Sequence, residues 1–245
     1  MNENNTIEKM KQMRMNTMAD LYHQSLTEHL YQDMSTDELL TFLVDNEWEA
    51  RQNKSIDNLI RLANFKQMAA ATDIDYHTSR NLDRGLFERL LGLAFIKNRT
   101  NVILTGATGS GKSFLAQSLG IKACQHKYRT LYYQTARFFD TVKLAKLDGS
   151  YHKLLKKLEK TQVLILDDFG LAPMDTQARL ALMDVMEDRY DKTSTIIASQ
   201  IPVNKWHAAI GDDSIADAVL DRLVYSSHRI ELEGNSMRSK KKIQN

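Results

Sequence analysis

The feature that most constrains the fold is a glycine-rich segment at residues 106–113, with the sequence Gly-Ala-Thr-Gly-Ser-Gly-Lys-Ser. It follows an apolar stretch of strand character (NVILT) and precedes a stretch of helical character (SFLAQSLGIKA). Glycines let such a turn curl so that successive N–H groups point at one anion, and the following helix presents its positive end to the same anion. The sequence therefore predicts a phosphate-binding loop between a strand and a helix.

The residue types within this loop indicate a nucleoside triphosphate with a magnesium ion. Lys112 is placed to reach the β- and γ-phosphates, and the Ser113 hydroxyl is a candidate Mg²⁺ ligand. We therefore expect ATP and Mg²⁺ as cofactors. The predicted nucleotide-binding residues of the loop are Gly106, Ala107, Thr108, Gly109, Ser110, Gly111, Lys112, Ser113 and Phe114.

Further along the chain, an apolar run ends in two aspartates. Val163–Leu166 is a candidate buried strand, and Asp167 and Asp168 follow it directly. Ligands of open α/β sheets bind at the carboxyl ends of the strands, so Asp167 is a candidate Mg²⁺ ligand. Asp168 is then a candidate base that orients the attacking water, a role that a glutamate fills more often. The alternative is an ordinary strand that runs into a turn.

From Gly85 onward, apolar strands alternate with helical stretches, which predicts an α/β domain with a parallel sheet. The predicted strands are Val102–Thr105, Thr130–Gln134, Val163–Asp168, Thr195–Gln200 and Ser227–Leu232. The predicted helices are Lys112–Lys127, Ala136–Leu147, Tyr151–Lys160, Gln177–Arg189 and Asp213–Leu223. The fourth strand ends in Ser199 and Gln200, which either contact the γ-phosphate or the attacking water, or simply lead into a turn.

Residues 1–70 are predicted to form a small helical domain, because they contain no Gly or Pro and place apolar residues at helical spacing. Ser35 and Glu38 have the spacing of a capping box. Residues 71–84 are interpreted as a linker and residues 85–245 as the ATPase domain. The methionines at 10–18 and Trp48 are interpreted as core residues rather than as a partner surface.

Charge and cysteine content restrict the possible partners and compartment. Residues 1–84 contain nine basic and fourteen acidic residues, whereas residues 85–245 contain 24 and 17. The basic second part favours a polyanionic partner. Cys124 is the only cysteine, which excludes an intrachain disulfide framework. The N-terminal residues lack the apolar segment of a signal peptide and no apolar run is long enough to cross a membrane, so we expect a cytoplasmic protein without a membrane partner.

Lysines that share one face of the helix predicted at 151–160 are candidate contacts to DNA phosphates, with two more on the preceding helix. The alternative is a solvated lysine face. No base-reading motif accompanies them, so binding would be largely independent of sequence. The predicted DNA-binding residues are Lys143, Lys146, Lys153, Lys156, Lys157 and Lys160. Arg222, at the end of a predicted helix, either pairs with an acid of its own chain or acts on the ATP of a neighbouring subunit.

Together these segments resemble the AAA+ ATPases of the helicase-loader and initiator group, and most closely the IstB-like helper ATPases of bacterial insertion sequences. The resemblance covers nearly the whole chain, and its specific part is the series LILDDFG, IIASQIPVNKW, IADAVLDRL and GNSMR. It implies a strand order of 5-1-4-3-2, Ser199 or Gln200 as the first sensor, Arg222 as an arginine that acts in trans, and Arg238 as the second sensor.

The resemblance also implies a function: a duplex-DNA-binding ATPase that oligomerises with ATP between subunits and recruits a cognate transposase through its N-terminal domain. One rival hypothesis is a loader of the DnaC type, which acts on a replicative helicase and prefers single-stranded DNA. Another is a nucleotide-switched structural protein with no DNA role. The nucleotide site would look the same in the first two cases, so the N-terminal 70 residues distinguish them.

Overall fold

The computed structural model describes residues 3–28, 31, 33–234 and 236–237. The chain divides into two compact units, Met1–Asn58 and Leu59–Asn245. This division differs from the predicted boundary at residue 70, because the residues after 58 pack into the second unit. For example, the backbone N–H groups of Lys66 and Gln67 donate to the Gln117 side-chain oxygen at 2.7 and 3.1 Å.

The described residues of the first unit form three helices. They are α1 (Glu3–Gln12), α2 (Asn16–Thr27) and α3 (Thr36–Ala63), the last of which continues past residue 58. The capping box is confirmed at the start of α3, where the Ser35 N–H donates to Glu38 Oε2 at 2.7 Å and the Glu38 N–H donates to Ser35 Oγ at 3.3 Å. These contacts satisfy backbone donors that a helix N-terminus otherwise leaves unpaired.

An ion pair on α3 between the buried Glu47 and the exposed Arg51 holds the corner between α1 and α2. Glu47 accepts a hydrogen bond from the Met18 N–H at the start of α2, at 3.1 Å. Arg51 pairs with Glu47 at 2.7 Å and donates to the Arg14 carbonyl after the end of α1, at 2.9 Å. A negative group therefore faces a helix N-terminus and a positive group faces a helix C-terminus, which is the favourable arrangement at both ends.

The interpretation of Trp48 as a core residue is wrong. Met18 and Leu43 are buried, but the Trp48 side chain is 61% exposed. It shares one side of α3 with Leu40 and Val44, which are also exposed and follow the i, i+4, i+8 spacing of a helix face. We call these three residues the α3 stripe. The sequence pattern did not distinguish it from a core face because both show the same periodicity.

The second unit is a three-layer α/β domain, as predicted. Its five strands are all parallel in the order β2-β3-β4-β1-β5, which confirms the predicted order 5-1-4-3-2. The strands are β1 (Asn101–Gly106), β2 (Thr130–Gln134), β3 (Val163–Phe169), β4 (Ser194–Ser199) and β5 (Ser227–Leu232). The helices are α4 (Arg84–Leu91), α5 (Ala94–Lys97), α6 (Lys112–Gln125), α7 (Thr135–Leu147), α8 (Tyr151–Glu159), α9 (Thr176–Arg189), α10 (Trp206–Ile210) and α11 (Asp213–Val224), with 3-10 turns at Ala71–Asp73 and Val203–Lys205.

The apolar core lies on both faces of this sheet. Leu164 and Leu166 of β3 belong to the cluster on one face, whereas Val163 and Ile165 belong to the cluster on the other. Alternate residues of a strand point to opposite faces, and here both faces are covered, so the strand is apolar at consecutive positions. Within the described part of the chain, no helix combines the length and the apolar character that crossing a membrane requires.

Candidate nucleotide-binding site

A cavity of about 750 Å³ opens at the carboxyl ends of β1, β3 and β4. It falls within the size range of small-molecule sites. The predicted site residues that line this cavity are Thr108, Gly109, Gly111, Lys112, Ser113, Phe114, Asp168 and Gln200. The structure thus brings the glycine-rich loop, the acidic strand end and the end of the fourth strand together around one space.

The loop between β1 and α6 has the geometry that its glycines permit. Gly109 and Gly111 have φ values of +81° and +99°, in the left-handed region that side chains rarely adopt. Lys112 is buried, and its Nζ donates to the carbonyls of Gly106 and Ala107, both at 2.7 Å. The ammonium group and the N-terminus of α6 therefore concentrate positive charge at the loop, as an anion site requires.

Asp167 is buried at the end of β3 and is held by three donors. Ser113 Oγ donates to its Oδ1 at 2.9 Å, Tyr132 Oη donates to its Oδ2 at 2.8 Å, and the Asp168 N–H donates to Oδ1 at 3.0 Å. Burial raises the pKa of the Asp167 carboxyl above its usual value, although the Tyr132 and Ser113 hydroxyls oppose the shift. A hydroxyl and a carboxylate, side by side, are a pair of oxygen ligands that suits Mg²⁺.

A β-bulge lets Asp168 reach the same cavity as its neighbour. Leu166 pairs with Ile197 but Phe169 pairs with Ser199, so β3 contains one extra residue at this point. Asp168 has a φ of +57°, in the left-handed region, which aspartate tolerates better than most residues. Consecutive side chains of a regular strand point to opposite faces, whereas the bulge re-aims one of them.

Two amide side chains flank the Asp168 carboxylate. Gln200 Nε2 lies 3.3 Å from Oδ1, and Gln134 Nε2, at the end of β2, lies 3.4 Å from Oδ2. Thr108 of the loop donates to Gln200 Oε1 at 2.6 Å. Hydrogen bonds thus connect the phosphate loop to Asp168 through Gln200.

Of the two residues predicted at the end of β4, only Gln200 lines the cavity. Ser199 is fully buried, and its Oγ donates to the Phe169 carbonyl at 2.7 Å and accepts from the Ile201 N–H at 3.2 Å. The Ser199 hydroxyl therefore holds the ends of β3 and β4 together instead of facing the cavity.

Arg222 lies at the end of α11 and does not line this cavity. It forms an ion pair with Glu187, its Nη1 donates to the Ala218 carbonyl at 2.7 Å, and its guanidinium lies 5.8 Å from the centre of the Tyr190 ring. Arg238, the predicted second sensor, lies outside the described residues.

The predicted DNA-binding lysines lie on α7 and α8. In α8, Lys153, Lys156 and Lys157 are exposed and Leu158 is buried, as the spacing predicts; Lys160, directly after the helix, is also exposed. On α7, Lys146 Nζ lies 4.8 Å from the centre of the Tyr151 ring. The exposed Lys143 lines a second cavity, of about 490 Å³, together with Arg137 and Asp168.

Several residues of the site belong to no motif that is recognisable in the sequence. Tyr132 and Gln134 belong to β2, which contacts the site only because β2 is the neighbour of β3. The segment interpreted as a linker contributes Asp73, Asp75 and Arg80 to the cavity wall. The strand order could have indicated the end of β2, but nothing in residues 71–84 marks them as part of a site.

The fold and the phosphate loop define the class of protein: a P-loop domain of the AAA+ type. Its structure resembles the DnaC helicase loader, with a TM-score of 0.57, 17% identity and coverage of 67% of this chain and 96% of that chain. It also resembles the replication initiator DnaA bound to AMPPCP and single-stranded DNA, with a TM-score of 0.58, 17% identity and coverage of 74% and 56%. At these identities the likeness concerns the fold alone.

The chain belongs to the family of IstB-like ATP-binding proteins, whose family model matches residues 8–245. An insertion sequence ATP-binding protein of Sinorhizobium fredii, y4pL, is 41% identical over 95% of both chains. The ATP-binding protein of insertion sequence IS21 from Pseudomonas aeruginosa is 31% identical over 90% of this chain and 84% of that protein.

Proposed function

We propose that this protein is an ATP hydrolase that assembles on duplex DNA and recruits the transposase of its insertion sequence. The ATPase activity in this proposal is supported by one observation: Lys112, Ser113, Asp167 and Asp168 lie together at one edge of the sheet. The family and its insertion-sequence relatives support the link to transposition.

In this proposal the loop and Lys112 bind the triphosphate, and Ser113 and Asp167 hold Mg²⁺. A bound Mg²⁺ supplies positive charge that offsets the negative charge of the phosphates. The 2.9 Å contact between Ser113 and Asp167 places both oxygen ligands together before the ion arrives. We assign Lys112 to triphosphate binding, and Ser113 and Asp167 to metal coordination.

Asp168 is proposed to orient and polarise the attacking water, with Gln200 as the sensor of the γ-phosphate in place of Ser199. Gln200 contacts both Thr108 of the loop and Asp168, so a change at the loop reaches the Asp168 carboxylate through one side chain. We expect Asp168→Asn to retain ATP binding and to lower hydrolysis by about 10²-fold or more.

Arg222 is proposed to act on the ATP of a neighbouring subunit. Its position away from its own nucleotide cavity supports this role, and its ion pair with Glu187 would have to open first. We expect Arg222→Ala to bind ATP normally and to lose hydrolysis. Mixing Arg222→Ala with Lys112→Ala subunits should then restore activity, because one supplies an intact nucleotide site and the other an intact arginine. Mixtures as inactive as either variant alone would contradict action in trans.

Contact with DNA is proposed through α7 and α8. The exposed lysines of α8 form a row of positive charge suited to a phosphate backbone. Lys143 borders the same cavity as Asp168, so bound DNA would lie close to the hydrolytic residue.

The transposase is proposed to bind the first unit at the α3 stripe. Exposed apolar residues grouped on one helix face are typical of partner surfaces. Asp37, Asp45 and Glu49 are exposed on the same helix, so we expect a basic amphipathic segment of the transposase as the occupant. Trp48→Ala should weaken transposase binding and leave ATP binding unchanged; equal binding of both forms would exclude the stripe.

One experiment separates this proposal from the helicase-loader alternative. Binding of the Asp168→Asn variant to long random duplex and to single-stranded DNA would be measured with and without ATP, and the products imaged. Cooperative, ATP-dependent coating of duplex would support the transposition function. Preference for single strands, or no binding without a helicase, would favour the loader.

A further inference from the structure

Arg80 lies in the wall of the candidate nucleotide cavity, although it belongs to a segment without a recognisable motif. Its side chain is only 4% exposed and lines the same space as Lys112 and Asp168. Nη1 donates to the Ser110 carbonyl in the glycine-rich loop at 3.0 Å, and Nη2 donates to the Asp75 carbonyl at 2.9 Å. The guanidinium group therefore connects the phosphate loop to the segment before α4.

The backbone around Arg80 is fixed as well. The Arg80 carbonyl accepts from the Glu233 N–H at 3.0 Å, just beyond β5, and the Met237 N–H donates to the Gly109 carbonyl at 2.8 Å. The segment before α4 and the segment after β5 are thus both hydrogen-bonded to the glycine-rich loop. Arg80 belongs to the segment before α4 and is hydrogen-bonded to the loop and to the segment after β5, so it has little freedom to move.

The hydrogen bond to Ser110 has a consequence for the next residue. In a trans peptide the C=O and N–H groups point in opposite directions, and the described chain contains no cis peptide bond. Holding the Ser110 carbonyl toward Arg80 therefore turns the Gly111 N–H away from Arg80. A Cβ on Gly111 would collide with Arg80 Nη1 in its present position, so a larger residue at 111 would displace the guanidinium from this contact.

We propose that Arg80 is a positioning residue of the nucleotide site: it fixes the Ser110–Gly111 peptide so that the Gly111 N–H faces the bound phosphate. This inference rests on the proposed ATP binding at the loop. Arginine suits the role because its rigid fork serves two carbonyls at once, whereas a lysine ammonium is a single point charge. Arg80 Nε is buried without a hydrogen-bond partner among the described residues, so the two Nη groups make the contacts that fix the guanidinium.

The test compares Arg80→Met and Arg80→Lys with the wild type, and uses Arg84→Met as the matched control. Arg84 lies four residues further on, is exposed and pairs with Glu88 at 2.7 Å. Hydrogen exchange of residues 106–113 is measured in the ligand-free protein, with β1 and β3 as internal references. The dissociation constant for ATP is measured by titration.

We expect Arg80→Met to speed exchange in the loop but not in the strands and to weaken ATP binding roughly ten-fold or more, as for the loss of a charged hydrogen bond. Arg80→Lys should show loop exchange and ATP affinity between those of Arg80→Met and the wild type, and Arg84→Met should match the wild type in both. Unchanged ATP affinity, or equal acceleration of the loop and the strands, would overturn the inference. If Arg80→Met does not fold, the same two criteria apply to Arg80→Lys. If the wild type itself does not bind ATP, the proposed function fails, and loop exchange alone then decides the role of Arg80.

Discussion

At the scale of single residues, Tyr132 is the least expected member of the site. Its hydroxyl donates to Asp167 at 2.8 Å, and burial beside that carboxylate raises the pKa of Tyr132, so it remains a donor. We predict that Tyr132→Phe lowers the free energy of unfolding by about 1–2 kcal/mol, because a buried carboxylate oxygen loses its partner. It should also weaken Mg²⁺-dependent ATP binding several-fold. Tyr133→Phe, next along β2, is the control for both the unfolding and the titration measurements.

We predict that the Asp167 carboxylate lowers the stability of the ligand-free protein. Because burial raises its pKa in the folded state, the folded chain binds more protons than the unfolded chain, and stability falls as pH rises through that window. Asp167→Asn does not titrate, so its melting temperature should exceed that of the wild type by a few degrees at neutral pH. The gain should shrink under acidic conditions. A gain independent of pH, or one equalled by the exposed Asp57→Asn, would argue against this cause.

At the scale of elements, Arg189 joins the end of α9 to its neighbours. It is 2% exposed and donates to the carbonyls of Leu158, Thr161 and Ser194 at 2.7, 2.8 and 2.6 Å. Burial lowers the pKa of Arg189 to about 9. We predict that Arg189→Met costs roughly 3 kcal/mol or more in denaturant unfolding, because three buried carbonyls lose a charged donor. Arg189→Lys should restore only part of the lost stability. Lys192→Met, a change at an exposed lysine, should leave the stability unchanged.

The helices and strands also show which features of the structure could be predicted from the sequence. Strand and helix positions were predictable because apolar runs, glycines and caps are local signals, and the P-loop motif fixes what lies on either side of it. The strand order is not a local signal, and it was predicted only from the resemblance to the IstB-like family. The bulge at Asp168 and the orientation of Ser199 were not predictable, since both depend on how β3 pairs with β4. Arg80 was missed for the same reason: its partners lie in the loop and beyond β5.

At the scale of the whole molecule, charge is unequally divided between the two units. Residues 1–58 contain five basic and eleven acidic residues, whereas residues 59–245 contain 28 and 20. Net charge of this kind influences association with any polyanion at long range. A test of DNA binding must therefore separate the direct effect of particular lysines from the effect of total charge.

We predict that changing Lys153, Lys156 and Lys157 to Ala weakens duplex binding strongly and reduces the slope of log affinity against log salt by about 2–3, close to one for each phosphate that is no longer neutralised. The matched control changes three exposed lysines that precede β1, β2 and β4 and lie outside α7 and α8: Lys97, Lys127 and Lys192. Both variants have the same net charge, so long-range attraction falls equally. Only the first should change the slope, because only its lysines are proposed to bind phosphates. Equal slopes in the two variants would show that the α8 lysines act through net charge and would remove α8 from the DNA interface.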